Sequence, residues 1–175
     1  MTEQQNQIIE TIPEFLTHAL ELEEESVAHY HELADSMEVH NNRQVAELFR
    51  TLARYSEEHA AEVRQRAEGM ELHKIAPWDF KWACPGAPES GCMEEADYLM
   101  TPCEALRTAW YNEVRGRDFY AHVAATTSDE KVRDLAEEMA QEEDGHVLML
   151  CDWLARIKDD CASVEDDLDP PNIPE

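Results

Sequence analysis

Apolar positions recur along this chain in four separate rows, each stepping by three or four residues. The first row reads Leu16, Leu20, Glu23, Val27, Tyr30, Ala34, Met37. The second reads Val45, Phe49, Leu52, Ser56, His59, Val63. The third is Leu106, Trp110, Glu113, Gly116, Tyr120, Val123, and the fourth is Leu135, Met139, Glu143, His146, Leu150, Trp153, Ile157. That spacing puts each row on one face of an α-helix and predicts four of them. Helix 1 is expected from about Pro13 to Val39 and helix 2 from about Arg43 to Glu68. Helix 3 starts at Pro102, and helix 4 follows Thr127 and runs to about Ile157. Start signals agree: Thr11 with Glu14, Thr101 with Glu104 and Thr127 with Glu130 each have capping-box spacing. Gly69 is a stop signal for helix 2.

The helices of each pair are separated by only a few residues, which makes each pair an antiparallel hairpin. Residues 70–101 are different. Such a long connection is unusual in a compact domain unless it has a task, and spanning the length of a bundle is one. The expected fold is therefore all-α: an antiparallel four-helix bundle of two hairpins joined by a long crossover, occupying residues 1–158. An acidic, proline-containing tail follows at 159–175. Trp78, Phe80 and Trp82 are expected to pin the crossover to the bundle.

Composition narrows the function classes. The chain has 175 residues, only five glycines and a formal net charge of −26. Such a charge repels phosphate, so a nucleic-acid or anionic-membrane partner is not expected, and cations are drawn in instead. The first seven residues lack a basic segment followed by an apolar one, and no apolar run approaches a membrane span. The cytoplasm is the default expectation. Five cysteines, at 84, 92, 103, 151 and 161, form no C-x-x-C and are expected as free thiols; a redox pair of Cys84 and Cys92 is a minor alternative.

The rows contain residues that an apolar face should not carry. Glu23, His59, Glu113, Glu143 and His146 fall at mid-height, one or two per helix. Burying an isolated carboxylate costs several kcal/mol, and a shared divalent cation would neutralise several at once. Glu143 and His146 form an E-x-x-H pair, which lies on one helix face. The halves also repeat: Tyr30 follows Glu23 by seven residues, and Tyr120 follows Glu113 by seven.

These segments resemble the rubrerythrin-like branch of the ferritin-like di-iron proteins: EEESVAHY from Glu23, EEH ending at His59, EVRGRDFY from Glu113, and EDGH ending at His146. The resemblance covers roughly residues 12–157 and implies a ferritin-like bundle with two metal ions, iron before manganese or zinc. It makes Glu23 and Glu113 terminal ligands, Glu143 a bridging carboxylate, His59 and His146 nitrogen ligands, and Tyr30 and Tyr120 the tyrosines that hydrogen-bond such ligands. One position departs from the pattern. Ser56 stands three residues before His59, where the family carries its other bridging glutamate. Glu62, three residues after His59, lies on the same face and is the candidate substitute. The attached rubredoxin domain of rubrerythrins is absent from this sequence.

The implied function is a di-iron oxidoreductase reacting with peroxide or dioxygen, supplied with electrons by a separate donor, or an iron-oxidising protein using the same site. The resemblance also suggests a homodimer. The competing expectation is a metal-poor helical dimerisation or interaction module, which Ser56 keeps open. The other histidines, His18, His29, His31, His40, His73 and His122, read as surface residues, and Met37, Met139 and Met149 as core or near-core.

Overall fold

In the computed structural model the described residues are 8–82, 88 and 99–157. They form four helices: α1 Ile12–Val39, α2 Arg43–Arg66, α3 Pro102–Thr126 and α4 Glu130–Arg156. Among the described residues there is no strand, and no helix is long and apolar enough to cross a membrane. The helices pack as the hairpins α1–α2 and α3–α4, the ferritin-like four-helix bundle. The tail at 159–175 lies outside the described residues, as do Cys84, Cys92 and Cys161.

Local chemistry explains most of the boundaries. Thr11 caps α1 by accepting the Glu14 amide, and Thr101 with Glu104 forms a complete capping box at α3, with Pro102 in the first turn. The α2 end comes two residues earlier than the sequence suggests: the helix closes at Arg66, and Gly69 takes the left-handed conformation (φ +79°) that ends the following turn. At α4 the expected Thr127–Glu130 box does not form. Asp129 caps the helix, its carboxylate accepting the Lys131 and Val132 amides, while Thr127 closes α3. A carboxylate at this position both satisfies the free amides and faces the positive end of the helix dipole.

The core is divided. One apolar cluster gathers Ile9, Phe15, Leu22, Val63, Phe119, Val132 and Met139, with Tyr120 at its inner edge. The other gathers Leu33, Met37, Phe49, Leu52, Leu106 and Leu150, with Tyr30 at its inner edge. All four helices contribute to each cluster, and a polar stratum lies between them in sequence register.

The crossover begins along α1. The His73 amide donates to Thr17 Oγ (3.0 Å), and a short 3₁₀ turn at Pro77–Asp79 precedes Phe80 and Trp82. Trp82 is buried and Phe80 packs partly against the first cluster, but Trp78 is 83% exposed and pins nothing. The expectation of free thiols fails at Cys103. This residue is buried in the first turn of α3 and is disulfide-bonded, whereas Cys151 is free and exposed.

Candidate metal centre

Five of the six sequence-predicted ligand residues meet in the polar stratum. Glu23 of α1, Glu113 of α3 and Glu143 of α4 are buried. The His59 side chain of α2 and the His146 side chain of α4 are 18% and 22% exposed, so the imidazoles form the outer side of the cluster and the carboxylates the inner side. Ligand atoms of His59, Glu143 and His146 all lie within 4.8 Å of one another. The two imidazoles stack with centroids 4.5 Å apart.

Glu143 is the central group. Its Oε1 faces His59 Nδ1 at 3.8 Å, and its Oε2 faces His146 Nδ1 at 3.2 Å. Glu23 stands 3.7 Å from His59 Nδ1, and Glu113 stands 3.1 Å from His146 Nδ1. Each tyrosine then reaches across the bundle to the other half. Tyr30 of α1 donates to Glu113 Oε1, and Tyr120 of α3 donates to Glu23 Oε1, both at 3.4 Å. Cβ positions seven residues apart are nearly in phase on a helix, so each hydroxyl arises two turns from the glutamate of its own helix.

Glu62 does not join the cluster. It is exposed, about one turn beyond His59. Its distance along α2 suits the face, but the i+3 step carries it toward the bundle surface. Ser56 is buried and its Oγ lies 3.0 Å from Ser26 Oγ, a residue of α1 that the sequence reading passed over. Its signal was available: Ser26 follows Glu23 by three residues, the register at which Gly116 follows Glu113. Two small hydroxyls thus fill the space beside the first hairpin that Glu143 fills beside the second.

The electrostatics are those of negative charge lacking a fixed cation. Among the described residues no lysine or arginine pairs with Glu23, Glu113 or Glu143; the histidines alone do. Burial pushes the Glu23 carboxyl up, opposed by His59. Burial also holds Glu143 well above the usual carboxylate range, against its bond to His146 and reinforced by the charges of Glu113 and Glu23. For His146, burial alone would lower the imidazole, but Glu113 and Glu143 outweigh it and push it up to about 10. His59 moves up for the same reason, with Glu23 outweighing burial. A divalent ion suits this donor set, since carboxylate and imidazole bind iron, manganese and zinc alike, and it would take the place of the protons held there.

Comparisons with known proteins bear on the family and the fold. Residues 14–81 match the rubrerythrin family. A crystal structure of an uncharacterised conserved protein from Magnetospirillum magnetotacticum MS-1 is 42% identical, covering 83% of this chain and 95% of that one, with a TM-score of 0.64. No curated protein matches.

Proposed function

The chain belongs to the rubrerythrin-like group of ferritin-like proteins, and from that premise we propose that its polar stratum is a dinuclear metal centre, iron before manganese or zinc, working as an oxidoreductase on peroxide or dioxygen. The observation that carries this reading is the convergence of three buried carboxylates and two imidazoles, with no lysine or arginine paired to the carboxylates among the described residues. Such a cluster is costly in an apolar core unless a cation shares it.

In this reading His146, Glu113 and Glu143 would hold one ion, and His59, Glu23 and Glu143 would hold the second. Glu62 stays outside this set because of its exposed position. When bound, two ferrous ions supply the two electrons that, with two protons, turn hydrogen peroxide into two waters. The protein residues perform the rest. Tyr30 and Tyr120 fix the rotation of Glu113 and Glu23, so one oxygen of each carboxylate is committed to a hydroxyl and the other is left for a ligand. The apolar clusters above and below screen the buried carboxylates from bulk water. Electrons would come from a separate donor, and a homodimer in the cytoplasm is the accompanying proposal. Oxidation of ferrous iron as the substrate uses the same residues.

Metal analysis after aerobic purification from iron-replete cells tests the centre, and peroxide consumption with a supplied reductant tests the reaction. About two ions per chain and peroxide turnover are expected. Turnover of ferrous iron without peroxide-dependent reductant loss would favour iron oxidation. A chain with no transition metal would favour the second reading, an interaction module derived from a metalloprotein, for which the Ser26–Ser56 pair is the supporting observation.

A further inference from the structure

His18 is fully buried although its sequence position reads as surface. Its two ring nitrogens have partners of opposite kind. Nδ1 lies 2.9 Å from the Glu14 carbonyl oxygen, which can only accept, and Nε2 receives the Lys81 backbone N–H at 3.1 Å. Only the neutral imidazole with its proton on Nδ1 satisfies both. The ring is enclosed by crossover and α3 aromatics: Phe80 and Trp82 meet it edgewise at 5.1 and 5.2 Å, and Phe119 stacks at 6.2 Å. Lys81 is also tied through its ammonium to Glu14 and to the Ile8 carbonyl.

We propose that His18 is an acid-sensitive latch that holds crossover residues 70–82 on the bundle. A proton on Nε2 turns the acceptor of the Lys81 amide into a second donor, so the bond is lost and two N–H groups face each other. The surroundings offer little to stabilise the imidazolium. From α1, Glu14 favours a proton on His18 through its carbonyl and its carboxylate, the latter shared with the Lys81 ammonium, and burial outweighs both. From the crossover come the Lys81 ammonium and His73, both of which disfavour a proton on His18. From α3 comes the uncharged Phe119, and its neighbour Asp118 is paired with Arg117. Burial acts first and in the same direction, lowering the affinity of His18 for its proton below the usual imidazole range. Release uncovers Phe119, whose ring packs 5.4 Å from Tyr120, the residue that donates to Glu23. The latch does not depend on what the polar stratum binds.

Hydrogen exchange of the purified full-length protein between pH 7.5 and pH 5, corrected for intrinsic exchange, reads the latch. A single proton taken up on release weakens it about tenfold per pH unit below about 6.5. Protection of the Lys81 and His73 amides should fall with that slope while the amides of Leu52 to Ala60 in α2 keep theirs. In His18→Gln, whose amide can donate and accept but does not titrate, the slope should vanish. A flat wild-type profile, or the same slope in the variant, overturns the proposal. If the variant does not fold, nitrogen NMR of wild-type His18 decides: Nε2 protonation and the Lys81 amide shift must share one midpoint, and separate midpoints overturn it.

Discussion

Hairpins α1–α2 and α3–α4 offer the polar stratum matching parts in matching register. Each gives a glutamate from its first helix, a histidine from its second, and a tyrosine that crosses to the other half. They differ three residues before the histidine, where the second hairpin has Glu143 and the first has Ser56. The distances follow the difference. His146 sits 3.1 and 3.2 Å from two carboxylates, within hydrogen-bond reach, while His59 is 3.7 and 3.8 Å from its two. A carboxylate on the same helix face as the histidine draws the imidazole in; a serine turned toward Ser26 does not. The rubrerythrin match at residues 14–81 covers the hairpin that lacks this carboxylate, so family likeness and completeness of the site are separate properties here.

The comparison breaks most decisively at Glu143, the group that both histidines share. Glu143→Gln keeps the volume and removes the charge, and metal content should fall at least about tenfold at both positions, since lesser perturbations of ligand surroundings already cost 10–100-fold. Metal analysis after gel filtration checks this, and a wild-type content would show that Glu143 is not central.

Metal removal comes next. Bound ions at about a hundred times their Kd stabilise by about 2.7 kcal/mol, so a chelator should lower Tm by roughly 5–10 °C at pH 7.5. The effect should shrink at pH 5. Glu23 and Glu143 are raised in the folded chain and His146 is raised to about 10. The folded apoprotein therefore holds protons that the unfolded chain releases, and it loses stability as pH rises through these values. His18 acts in the opposite sense, but equally with and without metal, so the difference in Tm isolates the cluster. An equal chelator effect at both pH values would contradict the assignment.

The asymmetry itself is tested by substituting each side. His146→Ala should weaken the first ion bound by 10–100-fold, whereas His59→Ala should leave it within about threefold. Ser56→Glu should fill the weaker position and, without metal, destabilise the chain by about 1–3 kcal/mol through an added buried polar group and the lost Ser26 contact. Titration calorimetry and anomalous scattering separate the two positions. Two equally occupied positions in the wild type, unchanged by Ser56→Glu, would remove the distinction between the hairpins.

The smallest effect should be the symmetric one. Tyr30→Phe and Tyr120→Phe each delete a 3.4 Å hydrogen bond to a carboxylate at a fully buried site. Each should cost about 0.5–1.5 kcal/mol in denaturant unfolding, with the pair matched within about 0.5 kcal/mol. A large gap between them would show that Ser56 disturbs both ends of its hairpin.

The four helices and the phase of the stratum could be read from the sequence because both depend on periodicity within one helix. What escaped depends on neighbours supplied by other segments. His18 lies at the edge of its row and becomes buried only because the crossover folds back with Phe80 and Trp82. Ser26 is unremarkable until α2 sets Ser56 against it. Trp78 carries the same apolar surface as Trp82 but sits in a 3₁₀ turn that leaves it outside. At α4, Thr127 and Asp129 both have capping side chains, and two residues of register decide between them.

The divided core also has an evolutionary side. A stratum of carboxylates and imidazoles is the part of this bundle where stability and chemistry pull apart, because apolar residues of similar volume often equal or exceed a buried ionic cluster by 1–4 kcal/mol. Drift toward leucine or methionine there would tend to raise stability. Selection for stability alone would join the two clusters into one continuous core, so a sequence that keeps them apart bears the mark of selection for something else.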